Sequence, residues 1–309
     1  MIRDYNMLIR EAASRGPRKI AVIHPHEKAS VKAINDAWIK GLADGILIGQ
    51  ANLMETLLRR LRIPLSRFAI HDEKDASRAA EYGVELAASD AVDVILKGSV
   101  STNILLGAAL RNKRNLRTGS LLSDVLIFED RRKGRRCLTL VSDGSVNVAP
   151  DLKAKLAIIR NAVTVAHALG IQVPKVAILS GVEKVQPEVQ STVDAVALAK
   201  ICSYGEIPDC LVDGPFALDN AISVKSARIK KVDSPVAGSA DILIAPDLEA
   251  GNILGKALIY YGKKDLAHVV VGAKVPILTS SRSDPPPAIL ASIALGVLLA
   301  SPKDIRVTG

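Results

Sequence analysis

Several short stretches of this chain set polar side chains directly after apolar runs. In VILKGSVSTN, Lys97, Gly98, Ser99, Ser101 and Thr102 follow a strand-like run. A glycine there lets the backbone approach a ligand, and hydroxyls and amides can cradle phosphate. The spacing is not GxxxxGK(S/T), and the same residues also suit a strand–turn–helix junction capped by Ser or Thr. In LTSSRSDPPPA, Ser280, Ser281 and Arg282 follow another run, then Asp284 and three prolines that stop regular backbone hydrogen bonding. An arginine between hydroxyls suits two-point capture of phosphate or carboxylate; the plainer reading is a solvent-facing loop with an Arg–Asp pair. In PDLEAGNILGKAL, residues 246–258, Asp247, Glu249, Gly251 and Asn252 stand between an apolar run and a helical pattern. Acidic residues suit the positive end of a helix dipole, and such junctions also line the ligand crevice of α/β sheets.

Two further stretches carry carboxylates. VDGPFALDNAIS places Asp213, Gly214, Asp219 and Asn220 around a strand exit, and VSDGSVNVAPDL offers Asp143, Asn147 and Asp151. They read as turn and cap residues or as metal ligands, though neither has a diagnostic metal spacing. Cys137, Cys202 and Cys210 lack metal-ligand spacing, and the five histidines form no HExxH motif or cluster, which argues against a Cys/His metal site. The basic run EDRRKGRRC, residues 129–137, lies between two strand-like segments and reads as an exposed hairpin tip. The alternative is a nucleic-acid patch of Arg131, Arg132, Lys133, Arg135 and Arg136, which predicts salt-sensitive binding.

Elements that could position these groups follow from periodicity. KIAVIHP, ILIGQ, FAIHDE and VDVILKG read as strands, separated by helical patterns of 10 to 17 residues. Such alternation predicts βαβ units and a parallel sheet. It breaks between about 117 and 150, where a β-hairpin intrudes, and resumes with a long helical pattern ending at Gly170. KVAILSG, CLVDGP, ADILIAP and AHVVVGAKVPILTSS are the later strand candidates. This organisation predicts one α/β domain over 1–141 plus 279–309 and a second over 142–278. At 309 residues, two domains are expected.

Composition agrees. Hydrophobic residues make up 49% and aromatics only 3%, so the core is aliphatic, as in parallel sheets covered on both faces. Scarce aromatics also argue against single-stranded nucleic-acid binding, which uses stacking platforms. A net charge of +9 favours anionic partners. The first sixteen residues mix acids with bases and lack a secretory core, and AILASIALGVLLA is shorter than the ~20 residues of a membrane span. The expectation is a cytoplasmic protein with no membrane partner.

Taken in order, LKGSVSTNILLGAAL, VSDGSVNVAPDL, VDGPFALDNAIS, PVAGSADILIAPDLEAGN and VGAKVPILTSSRSD resemble the signature segments of the phosphate acetyltransferase and phosphate butyryltransferase family. The resemblance runs from about 18 to 300, and the chain length favours the butyryltransferase-like branch. It implies two α/β domains with a central cleft, similar to the isocitrate and isopropylmalate dehydrogenases. It implies exchange of acyl-CoA and phosphate with acyl phosphate and CoA, by direct transfer in a ternary complex. It further implies a homodimer, no nucleic-acid partner, and no metal or redox cofactor, with coenzyme A entering as substrate. The family's Ser-Arg pair falls on Ser281 and Arg282: Arg282 would neutralise phosphate, Ser281 would hydrogen-bond the acyl phosphate, and Asp284 would accept or orient the thiol proton. Lys97, Gly98, Ser99, Thr102, Asn147, Gly251, Asn252 and Ser280 are the implied substrate-binding residues. The chain departs from the family pattern at Gly107, where better-known members carry arginine, and at Asp124, where many butyryltransferase-like members carry histidine. It departs again at Ala288, where the acetyltransferase branch has an acid. Those departures leave a rival, a relative that binds CoA or acyl phosphate without turnover. A metal- and nicotinamide-dependent dehydrogenase on the same architecture is a second rival, although no dinucleotide fingerprint is present.

Overall fold

The computed structural model of the chain describes residues 1–111, 116–132, 135–281 and 283–300. The chain forms two compact units, one of Ile9–Thr118 with Ala273–Gly309 and the other of Met1–Leu8 with Gly119–Gly272. After the amphipathic helix α1 (Tyr5–Ser14), the first unit alternates β1 (Arg18–Ile23), α2 (Lys28–Ile39), β2 (Ala43–Gly49), α3 (Ala51–Arg60), β3 (Ala69–Asp72), α4 (Ala76–Ala88), β4 (Val94–Lys97) and α5 (Thr102–Arg111). The last four residues of β1 and all four of β4 are buried. A strand covered on both faces needs such an uninterrupted apolar run. The helices are entered by local devices, such as the Asp75 carboxylate that accepts the Arg78 N–H to start α4.

The second unit begins with the expected hairpin. β5 (Ser123–Arg132) runs antiparallel to β6 (Arg135–Ser142), with Arg132 opposite Arg135. Residues 133–134 of its tip, Lys133 included, lie outside the described residues. Then come α6 (Leu152–Ala168), β7 (Lys175–Leu179), α7 (Gln190–Ser203), β8 (Leu211–Phe216), α8 (Leu218–Ile222), α9 (Val224–Ile229), β9 (Ile242–Ile244), α10 (Leu248–Tyr260) and β10 (Leu266–Val271). The sheet order here is β10-β5-β6-β9-β7-β8. β10, β5 and β6 pair antiparallel, while β6, β9, β7 and β8 pair parallel. Leu126, Phe128, Val141, Leu179, Phe216, Leu243 and Leu266 form a core of this unit.

The chain then completes the first unit with β11 (Ile277–Leu278) and α11 (Pro286–Leu299). The sheet there is all parallel, in the order β3-β2-β1-β4-β11. Eleven consecutive residues of α11, Ala288 to Leu298, are buried. No helix among the described residues is long and apolar enough to cross a membrane. The units divide at Thr118 rather than near 141, because β5 and β6 pair with β10 and β9 of the second unit. Similarly, AHVVVGAKVPILTSS is not one strand. Gly272 turns at φ +99 between β10 and β11, where an added Cβ would stand 2.1 Å from the Leu121 carbonyl oxygen.

Candidate active site

In the first unit, three adjacent strands end at one edge. Ile23 of β1 is level with Lys97 of β4, and Leu96 of β4 with Leu278 of β11. The order of strands reverses between β1 and β4, so the loops after them diverge, which is where ligands settle in open α/β sheets. The loop from β4 is bonded to the exit of β1. Gly98 N–H donates to Ile23 O and Ser99 N–H to His24 O, each at 2.8 Å. A Cβ on Gly98 would lie 2.5 Å from His24 O, so this glycine serves the approach of two strand exits. The Ser99 hydroxyl lies 2.6 Å from Glu27 Oε2 and 2.9 Å from His24 O. Lys97 is buried, with Nζ donating to Gly98 O at 3.3 Å and Val100 O at 3.5 Å. Ser101 Oγ accepts the Ile104 N–H at 3.3 Å, so the capping reading holds for that serine, and Thr102 opens α5 beside it.

His24 stands at this edge with φ +53 and is 8% exposed. Its ring lies 4.2 Å from that of His26. His26 Nε2 accepts the Gln50 N–H at 3.0 Å, which requires a lone pair there and fixes the neutral Nδ1–H tautomer. Burial, with His24 beside it, pushes the His26 imidazole below its ordinary value. His24 Nε2, Thr279 Oγ1 and Ser280 Oγ are buried and have no hydrogen-bond partner among the described residues.

The loop after β11 is held by its own acid. Asp284, 7% exposed, accepts the Ser281 N–H at 2.7 Å on Oδ2, and its own N–H donates to Ser281 O at 3.0 Å. Ser281 and Ser283 share a hydroxyl contact of 3.0 Å. Arg282 lies outside the described residues. Ala288 is buried within α11. At Gly107, a Cβ would meet the Arg111 guanidinium at 3.2 Å, so an arginine one turn later covers that position.

In the second unit the residues after β6 form a tight turn built on Asp143. Its Oδ1 accepts from Ser145 N (2.8 Å) and Val146 N (2.9 Å), and its Oδ2 from Asn147 N (3.2 Å) and Asn147 Nδ2 (2.6 Å). Asn147 Nδ2 also donates to Leu122 O at 2.8 Å. Both its hydrogens are thereby used, which leaves Oδ1 as the amide atom able to accept from a ligand. Burial raises the Asp143 carboxyl above the ordinary carboxylate range, and the neighbouring Asp124 raises it further.

The first turns of α10 clamp this turn. Asp247 accepts the Ala250 N–H and caps the helix, as the helix-start reading expects. Gly251 packs on the turn so closely that a Cβ would stand 2.2 Å from Asp143 O. Asn252 Nδ2 donates to Gly144 O at 3.1 Å. Gly251 and Asn252 therefore act on the protein's own backbone in this structure. Three of the other candidate carboxylates have local partners: Asp151 caps α6, Asp213 Oδ1 accepts the Gly214 N–H at 2.8 Å, and Asp219 pairs with Lys230 at 2.9 Å. No group of three or more potential metal ligands occurs among the described residues.

Sequence reasoning passed over His24, His26, Ser145 and His268. HPH after a strand matches no ligand spacing, and the others are defined by contacts across strands. A family model described as "Phosphate acetyl/butaryl transferase" matches residues 76–297. The chain is 37% identical over 303 residues to the phosphate butyryltransferase of Clostridium acetobutylicum, spanning 98% of this chain and 100% of that protein. It is 37% identical over 297 residues to the phosphate acetyltransferase of Rhizobium meliloti, 96% of this chain and 93% of that one. The crystal structure of a branched-chain phosphotransacylase from Enterococcus faecalis has a TM-score of 0.79 and 26% identity, covering 92% of this chain and 99% of that one.

Proposed function

Because the chain belongs to the phosphate acetyl/butyryl transferase family and is a phosphate acyltransferase, we propose that it exchanges a short-chain acyl-CoA and phosphate with acyl phosphate and CoA by direct transfer. A phosphate oxygen attacks the thioester carbonyl carbon and forms the C–O bond. The C–S bond breaks, and sulfur leaves with the electron pair and takes up the proton that the attacking hydrogen phosphate gives up. No atom is oxidised or reduced, so the reaction calls for no redox cofactor, and cationic side chains can serve the phosphate charge without a metal. Arg282 neutralises the phosphate and Ser281 hydrogen-bonds it. Asp284, bonded to the Ser281 N–H, orients the loop that carries both.

The observation that carries this reading is that three of the buried polar atoms without partners among the described residues, His24 Nε2 after β1 and Thr279 Oγ1 and Ser280 Oγ after β11, follow strands that end at one edge of the sheet. Buried polar atoms are nearly always bonded, and three left open point to a polar ligand. Lys97 and the β1/β4 switch point favour an anionic one. Asn147, whose amide hydrogens are both used, offers Oδ1 as an acceptor for a substrate group. The enzyme acts as a homodimer in the cytoplasm. Supporting that part are the exposed Ile222, Ile229, Ile253, Tyr260 and Tyr261 of the second unit, and three free cysteines, as in reducing compartments. The test is thiol release from acetyl-, propionyl-, butyryl- and branched acyl-CoA without added metal. Phosphate-dependent release is expected with at least one; none with phosphate or arsenate refutes the function.

A further inference from the structure

Two carboxylates are buried side by side in the second unit, Asp124 on β5 with no exposure and Asp143 at 2%. Asp143 is held by four N–H bonds from its own turn. Asp124 receives one hydroxyl, Ser145 Oγ at 2.7 Å on Oδ2, and its Oδ1 has no hydrogen-bond partner among the described residues. Burying a second carboxylate beside the first is costly unless an opposite charge offsets it. A side chain able to carry such a charge stands on β10. Asp124 faces Val270 across the antiparallel pair, so His268, two residues along, lies on the same face in the diagonal position. His268 Nδ1 is 3.9 Å from Asp124 Oδ2, too far for a hydrogen bond but within reach of a charge pair.

We propose that Asp124 and His268 are a positioning pair for the Ser142–Asn147 turn, in which Asp124 holds Ser145 and the His268 imidazole supplies the positive charge that lets both carboxylates remain together. The linkage is continuous. Asp124 O accepts the Ser142 hydroxyl at 2.6 Å and its carboxylate accepts that of Ser145. Ser145 N–H reaches Asp143 Oδ1, and Asp143 Oδ2 holds Asn147 Nδ2. Asp124 thus acts on Asn147 through Ser145 and Asp143, without itself reaching solvent. Elements packed on these strands carry other charged groups. On α10, Asp247 caps its own helix and Glu249 lies in the first turn; on α6, Lys155 is bound to Asp194 at 2.6 Å. Only the link to catalysis rests on the proposed function.

The experiment compares full-length wild type with Asp124→Asn, His268→Gln, the double variant and His268→Lys. The Asp143 carboxyl is followed by carbon NMR through a pH titration. Asp124→Asn removes a like charge and moves the Asp143 midpoint down by about one unit, whereas His268→Gln removes a positive charge and moves it up by a similar amount. The double variant returns toward wild type, and His268→Lys stays near it. A purely packing role cannot give shifts of opposite sign. Each neutralising single variant lowers kcat/KM about tenfold, and the double variant falls no further. No shift, shifts of one sign, or additive kinetic losses overturn the pair. Wild-type enzyme that releases no thiol would instead refute the proposed function, while the NMR titration still decides the pair. Should Asp124→Asn fail to fold, the contrast between His268→Gln and His268→Lys suffices: equal Asp143 midpoints in those two refute it.

Discussion

Gly251→Ala tests how tightly α10 must sit on the Asp143 turn. The new Cβ would lie 2.2 Å from Asp143 O and 3.0 Å from Asp143 C and Gly144 Cα, all backbone atoms. Ordinary contact begins near 3.4 Å, so helix and turn must part by about 1.2 Å. The Asn252 Nδ2 to Gly144 O bond, now 3.1 Å, cannot survive that movement. Its loss costs about 1 kcal/mol. The forced repacking costs about 1–3 kcal/mol. Alanine recovers about 1 kcal/mol of helix propensity over glycine, leaving a net loss of about 1–3 kcal/mol. At roughly 2–4 °C per kcal/mol for a unit of this size, thermal unfolding should come about 2–12 °C earlier. Gly255→Ala, one turn along, is the control. Its Cβ would meet a side-chain methyl of Leu126 at 3.0 Å rather than backbone, so a shift of a few tenths of an ångström suffices, strain and propensity nearly cancel, and the midpoint moves much less. Differential scanning calorimetry of the two variants and wild type decides the matter. If Gly251→Ala unfolds no earlier than Gly255→Ala, the close approach does not constrain the turn and the reasoning fails.

Arg282→Lys keeps the charge but loses the forked geometry. A fall in kcat/KM of at least tenfold, about 1.4 kcal/mol, is expected in steady-state assays with phosphate varied, and wild-type kinetics would reduce Arg282 to a loop residue. Asp284→Asn retains an oxygen for the Ser281 N–H, whereas Asp284→Ala does not. An orienting acid therefore predicts a raised phosphate KM mainly in the alanine variant. A kcat loss in Asp284→Asn at neutral pH that recovers toward the thiol value of about 8.5 would make it the base instead. His26 is neutral while it accepts the Gln50 N–H. With its imidazole pushed below the ordinary value, the unfolded chain binds the proton first as pH falls through about 6.5, so stability drops on the acid side. His26→Gln should flatten that acid-side fall in melting temperature; an unchanged slope refutes the assignment.

Periodicity was a good guide wherever an element's neighbours did not matter. The buried runs of β1 and β4 and the hairpin around residues 123–142 are visible from residue types alone. Periodicity could not say with which strands the hairpin pairs. Its partner β10 is more than a hundred residues away, so the division expected near 141 falls at Thr118. The split of AHVVVGAKVPILTSS was hidden because Gly272 sits inside an apolar run, and its requirement comes from Leu121. At the candidate site, the cap role of Asp247 was legible because it is local. The family resemblance makes Gly251 a substrate-binding residue. Its close approach to Asp143 joins segments 108 positions apart, which no local pattern encodes. His24 and His268 carried no motif at all.

The interrupted first unit has a consequence for synthesis on the ribosome. β4 has β1 on one side and only β11 on the other, and β11 emerges about 180 residues after Lys97. At roughly 5–20 residues per second, that flank waits about 10–35 s for its partner. During that interval β4 is an edge of four buried apolar and lysine positions, and the surface later covered by α11 is bare. The segment 119–272, by contrast, leaves the ribosome as one continuous stretch able to assemble first. A nascent chain of this protein is therefore most exposed to wrong strand pairing and chaperone capture in the half made first, and a stop codon before residue 277 would leave that exposure permanent.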